Sequence, residues 1–124
     1  MPKSTDYLYI FSTICLTVYG QLILKWGITK YGSMPAEFWG KLKFLLYLLV
    51  DPAILSGIVA AFLASLAWMA AMTKFDLSYA YPFMSLNFVI VLLFSAMLLK
   101  EPLTTAKFVG IIFIIVGTII ASRQ

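Results

Sequence analysis

Apolar runs of membrane-crossing length alternate with short polar segments along this chain, and the pattern predicts four transmembrane helices. The clearest runs from Tyr79 to Leu99, 21 residues without a charge. At about 1.5 Å per residue, a helix of that length crosses a hydrocarbon core of roughly 30 Å. Lys100-Glu101-Pro102 ends it, and a fourth apolar run covers Leu103 to Ala121. Upstream, spans are expected from Tyr7 to Ile28 and from Pro52 to Met72. Asp51-Pro52 opens the second of these with a capping carboxylate followed by proline at the first helical position. The expected fold class is an all-α membrane protein, one four-helix domain over residues 1–124 with both termini on the same side.

Between the first two spans, Gly32 and Pro35 stop helix continuation. Residues 36–50 set Trp39, Lys41, Lys43 and Tyr47 among apolar positions, and the apolar run from Phe44 to Val50 is too short to cross. An interfacial amphipathic helix is expected there.

Each span has sides. Thr13, Thr17, Gln21 and Lys25, spaced four apart, form a slowly drifting polar row with Gly20 beside it. Leu8, Ile10, Phe11, Ile14 and Leu22 or their neighbours are then expected on the lipid side. In the second span Ala53, Gly57, Ala60, Ala61, Ala64, Ser65 and Ala71 predict close approach of another helix. In the fourth, Ala106, Gly110, Gly117 and Ala121 lie close to one face, and Gly110 and Gly117 mark a helix-packing or dimer seam. The third span is unusual because Tyr81, Pro82, Ser85 and Asn87 interrupt an apolar run with polar groups. An unpaired polar group in hydrocarbon costs several kcal/mol, so these are expected to face other helices or a cavity that admits a polar ligand. Pro82 removes a backbone hydrogen bond and is expected to loosen the start of the helix, as a hinge.

Composition agrees: 63% of the residues are hydrophobic and 11% charged. No soluble domain of this size needs so much apolar surface. The absence of histidine and the single cysteine, Cys15, exclude the usual metal site and any internal disulfide. No metal or other cofactor is implied. Lys3 followed by an apolar run could pass for a signal peptide, but no small-residue cleavage site follows, so the run reads as a retained span. The net charge of +4 comes from span ends and loops, with no cluster denser than Lys41 and Lys43, so nucleic acid is not expected as a partner. Lys30, Lys41, Lys43 and Lys100 in the first and third loops outweigh Lys3, Lys74 and Arg123, which favours cytoplasmic loops and external termini. The five acids, Asp6, Glu37, Asp51, Asp76 and Glu101, all fall at span ends or in loops. With no nucleophile and base pair in view, an enzyme is not expected.

Ala80-Tyr81-Pro82, Ser85-Leu86-Asn87-Phe88-Val89 and Glu101-Pro102, together with Gly20-Gln21 and Lys25, resemble the small four-helix, EamA-like members of the drug/metabolite transporter superfamily. The resemblance is strongest to the subunits of the 4-amino-4-deoxy-L-arabinose-phosphoundecaprenol flippase, although the first loop is longer than expected for them. It implies a flippase or flippase subunit for a polyprenyl-phosphate-linked monosaccharide in the bacterial cytoplasmic membrane, working as a homodimer or with a similar small subunit. Thr17, Gln21, Lys25, Tyr81, Ser85 and Asn87 would then bind substrate, with Gly20 and Pro82 as hinges. Lys25 reads either as a phosphate counter-charge or as a side chain snorkelling to the headgroups. Tyr81 and Ser85 share a face and suit a sugar or a neighbouring helix. Asn87 is turned away from them and suits either role. Trp26, Trp39 and Trp68 fit an interfacial belt, with Trp68 equally placed for the pathway.

The layout also resembles the small multidrug resistance transporters. Aligning Gly20 and Lys25 with that family's glycine and lysine puts Thr17 where its essential glutamate would stand. An exchanger of cations or metabolites is therefore a second reading, weakened by the lack of an intramembrane carboxylate. A non-transporting accessory subunit of a glycosyltransferase system is a third.

Overall fold

The computed structural model describes residues 3–123 and is helical throughout, with no strand among them. Its α-helices are α1 (Tyr7–Ile28), α2 (Phe38–Leu48), α3 (Pro52–Met72), α4 (Leu77–Met84), α5 (Leu86–Leu98) and α6 (Thr105–Ala121). Three continuous stretches, 4–31, 52–72 and 77–98, are long and apolar enough to cross a membrane, and α6 is a shorter apolar helix. The chain is a multi-pass membrane protein.

The first two expected spans coincide with α1 and α3. Helix α3 starts where it does because the Asp51 carboxylate accepts from the Ala53 and Ile54 backbone N–H groups, ahead of Pro52. The same carboxylate accepts from the Tyr31 hydroxyl and lies 3.5 Å from the Lys30 ammonium, which ties the end of α1 to the start of α3. The Tyr31 hydrogen bond, then the two backbone donors and Lys30, hold the Asp51 carboxyl below its ordinary value of 3.8 against the opposing effect of burial. A depressed native pKa means that this stabilisation is complete above the ordinary value and is lost as pH falls through the lower native one. Asp51→Asn is therefore expected to melt below wild type at neutral pH, with the difference closing below about pH 4 in a thermal scan.

Helices α1 and α3 are the best-packed pair, and small residues make that possible. A Cβ on Gly20 would stand 3.1 Å from the Gly57 carbonyl oxygen, and one on Gly57 would stand 2.7 Å from Ile23 Cγ2. Ala60, Ala64 and Ala71 continue the buried face of α3, as its small residues predict. Ile10, Ile14 and Val18 of α1 meet Ala71, Phe75 and Ala80 in the core. Ile10 and Ile14 thus turn inward, whereas Leu8 and Phe11 face outward as expected. The polar row drifts across two faces, so one side of it, Thr13, is buried and bonded to the Tyr9 carbonyl.

The expected third span is two helices. It begins at Leu77 and breaks at Ser85, where the Ser85 N–H reaches back to the Pro82 carbonyl and the Phe88 N–H to the Ser85 carbonyl, both spaced as in a 3-10 turn. Pro82 lies inside α4, three residues before the break, and can donate nothing to the preceding turn. Helix α5 ends with Lys100 in the left-handed region (φ 56°), where Ser95 O accepts from both Leu99 and Glu101. Helix α6 starts two residues later than expected, at Thr105, because the Thr104 hydroxyl caps it by accepting from Lys107 N–H.

Helix α2 is present, two residues shorter at each end than the 36–50 expected. It meets the rest of the chain through buried Leu48 and an edge-on Tyr31–Tyr47 pair. Gly32, before it, takes a positive φ of 78° that an L side chain rarely adopts.

Candidate functional site

A half-open cleft of about 820 Å³ runs between α1, the end of α3 and the α4–α5 break. Thr17 and Gln21 line it from α1, Trp68 from α3, Tyr81 and Pro82 from α4, Ser85 from the break, and Asn87 and Phe88 from α5. Thr17 lies near the middle of α1, so the cleft sits at mid-depth of the helical bundle. Most of its wall is apolar, and none of the side chains lining it is charged.

Each polar group reaches the cleft for a local reason. Thr17 and Gln21 are one turn apart on the same helix. The Trp68 and Tyr81 rings meet edge to face, 6.0 Å between centroids, and form an aromatic corner. The Ser85 and Thr118 hydroxyls lie 2.7 Å apart, each also within reach of a backbone carbonyl, Pro82 O at 2.5 Å and Ile114 O at 2.8 Å. Thr118 thereby pins α6 to the break. Asn87 enters the cleft on the stripe of Met84 and Val91, three residues after the one and four before the other, beside the stripe of Tyr81, Ser85, Phe88 and Leu92. Its Oδ1 is covered yet accepts no hydrogen bond.

Six of the residues singled out from sequence therefore meet here: Thr17, Gln21, Tyr81, Pro82, Ser85 and Asn87. Trp68 joins them in lining the cleft. Lys25, expected with them, is exposed and outside the lining, one turn beyond Gln21. Gly20, expected at a hinge, is a close contact of α1 with α3. Gly110 and Gly117 face open space, with no heavy atom of the described residues within 4 Å of a Cβ built on either. Thr118 was not among the candidates, although it is the one hydroxyl in the apolar run from Ile111 to Ile120. Thr118→Val is expected to cost about 0.5–1 kcal/mol, the usual worth of a hydrogen bond between membrane helices, read as a small drop in the denaturation midpoint.

The chain is similar to known proteins over most of its length. Over 121 residues the chain is 33% identical to the probable 4-amino-4-deoxy-L-arabinose-phosphoundecaprenol flippase subunit ArnF of Aeromonas salmonicida, covering 96% of this chain and 80% of that one. The ArnF subunit of Aeromonas hydrophila is 34% identical over 116 residues, 92% of this chain and 77% of that one. The ArnE subunit of the same organism is 28% identical over 115 residues, 93% and 95% respectively. No solved structure matches the chain. The profile of the EamA-like transporter family matches residues 7–123, nearly the whole length, and the chain belongs to that family.

Proposed function

We propose that this protein is a flippase subunit that carries an undecaprenyl-phosphate-linked monosaccharide, aminoarabinose-like or a related sugar, across the bacterial cytoplasmic membrane. The observation that carries the reading is the convergence of Thr17, Gln21, Tyr81, Ser85 and Asn87 on one half-open cleft at mid-depth. Hydroxyl and amide groups beside the Trp68–Tyr81 corner suit a sugar, with donors and acceptors for its hydroxyls and an aromatic surface for its apolar face. The open side lets the prenyl tail stay in lipid, so only the head has to be shielded. Lys25, one turn along the same row, holds the phosphate at the mouth of the cleft.

In this reading α1, α3, α4–α5 and α6 are four spans, with α2 lying in the interface. Its 17 residues give α6 about 26 Å, enough for a thin or locally adjusted bilayer. Two copies, or this chain with a similar small subunit, pair through the open Gly110–Gly117 face of α6. The Pro82–Ser85 break supplies the bending point for alternating access. The multidrug-type exchanger is not favoured, since the cleft offers no carboxylate to alternate between proton and cation.

The test is a headgroup-accessibility assay in liposomes containing the purified protein and a panel of undecaprenyl-phosphate sugars. Protein-dependent exposure of one or more sugars on the opposite leaflet is expected. Folded protein that moves no member of the panel, alone or with a small partner subunit, would overturn the reading.

A further inference from the structure

Thr118 stands outside the cleft lining and reaches the cleft wall through one atom. The buried hydroxyls of Thr13 and Ser95 are satisfied by a carbonyl of their own helix, Tyr9 O and Leu92 O. Thr118 is buried as well and has such a carbonyl, Ile114 O at 2.8 Å, so burial alone does not require a second contact. Its hydroxyl nevertheless lies 2.7 Å from Ser85 Oγ, on the other side of a helix interface.

The hydrogens decide what that contact does. Ser85 Oγ lies 2.5 Å from Pro82 O, and two oxygens so close hold a hydrogen between them. The carbonyl has none to give, so Ser85 donates to it. The 2.7 Å contact is then made by the Thr118 hydrogen. Ser85, half-buried in the cleft wall, has spent its one hydrogen and has a lone pair left. It can accept from an O–H or N–H group, and it has nothing to offer a phosphate oxygen, which only accepts. Resting on the flippase reading above, we infer that Thr118 is a positioning residue for the sugar: from α6 it holds Ser85 Oγ as a hydrogen-bond acceptor, for a hydroxyl or amino group of the sugar and not for the phosphate. Without the Thr118 hydroxyl, the Ser85 side chain is free to leave that rotamer.

The experiment is a double-mutant cycle on affinity. The probes are undecaprenyl phosphate carrying 4-amino-4-deoxyarabinose, the same carrier with arabinose, and bare undecaprenyl phosphate. Binding is measured in nanodiscs and translocation in liposomes, with the purified protein. Ser85→Ala and Thr118→Val are each expected to weaken binding of a sugar lipid by about two- to tenfold, the worth of one hydrogen bond. In the Ser85→Ala background Thr118→Val is expected to add nothing, Thr118→Ser is expected to restore wild-type affinity, and bare undecaprenyl phosphate is expected to bind all variants alike. Additive losses, an equal loss for the bare carrier, or no loss in either single variant would overturn the inference and leave the flippase reading standing. The expected cycle in a protein that binds a sugar lipid and does not move it would uphold the inference and sink the flippase reading. Wild type that binds neither sugar lipid more tightly than the bare carrier would overturn both.

Discussion

Gly20→Leu is expected to abolish folding, or to leave a protein that extracts as aggregate. The reason is backbone, not side-chain, proximity. A Cβ at this position already meets the Gly57 carbonyl oxygen at 3.1 Å, and a carbonyl in a helix cannot move aside without carrying α3 with it. The neighbouring contacts are equally tight: a Cβ on Gly57 would come within 2.7 Å of Ile23 Cγ2, and one on Gly27 within 2.9 Å of Ile54 Cγ1. Helix association in a bilayer depends on this close fit, because lipid tails are as apolar as the side chains. Overpacking a soluble core costs about 1–3 kcal/mol per site, and a leucine wedged against backbone belongs at or above the top of that range. Set against a total stability of about 5–15 kcal/mol, the change is severe. Gly117→Leu is the control, since that position faces open space; its monomer is expected to keep a wild-type melting temperature in detergent. Matching losses at both positions would show that the α1–α3 seam has no special weight.

Thr17→Trp is expected to stop translocation while leaving the fold intact. Thr17 lines the cleft near the middle of α1, opposite the Tyr81–Asn87 wall, so an indole there fills space that the sugar head would occupy. Misplacing a substrate by about 1 Å can cost a hundredfold in rate, so a filled cleft is expected to lower flipping by at least about tenfold. A circular dichroism melt within a few degrees of wild type would assign the loss to the cleft. Undiminished flipping by a folded variant would mean that the sugar travels elsewhere.

Much of this architecture is legible in the sequence because burial in a membrane follows length and small-residue patterning. The ends of α1 and α3, the proline cap after Asp51 and the small-residue face of α3 all follow from local chemistry. The site was legible as a set of residue types, since a tyrosine, serine and asparagine within one apolar run need partners. Its geometry was not. Pro82 announces a disturbance but not its position, and the break falls three residues later. Asn87, off the face of Tyr81 and Ser85, lines the cleft because the opening is wide enough to take in the stripe of Met84, Asn87 and Val91 as well. Lys25 stands apart from the set: spacing puts it on the row of Thr17 and Gln21, yet it lies outside the cleft lining. The seam glycines could not be ranked from sequence either. Gly20 and Gly117 look alike in an apolar helix, and only the structure distinguishes the one against a neighbouring backbone from the one facing outward.

The measurement that bears most directly on the central claim is substrate protection of a thiol placed in the cleft. In a Cys15→Ser background, Thr17→Cys puts a single reactive group on the cleft wall, and Phe62→Cys puts one on the exposed side of α3, away from both the cleft and the α6 seam. Each is exposed to a maleimide with and without an undecaprenyl-phosphate sugar. The account predicts that the lipid-linked sugar slows labelling at position 17 and not at position 62, while undecaprenyl phosphate alone protects neither. Labelling at position 17 that is indifferent to the sugar would contradict it, and the cleft would then be a gap between helices with no substrate in it.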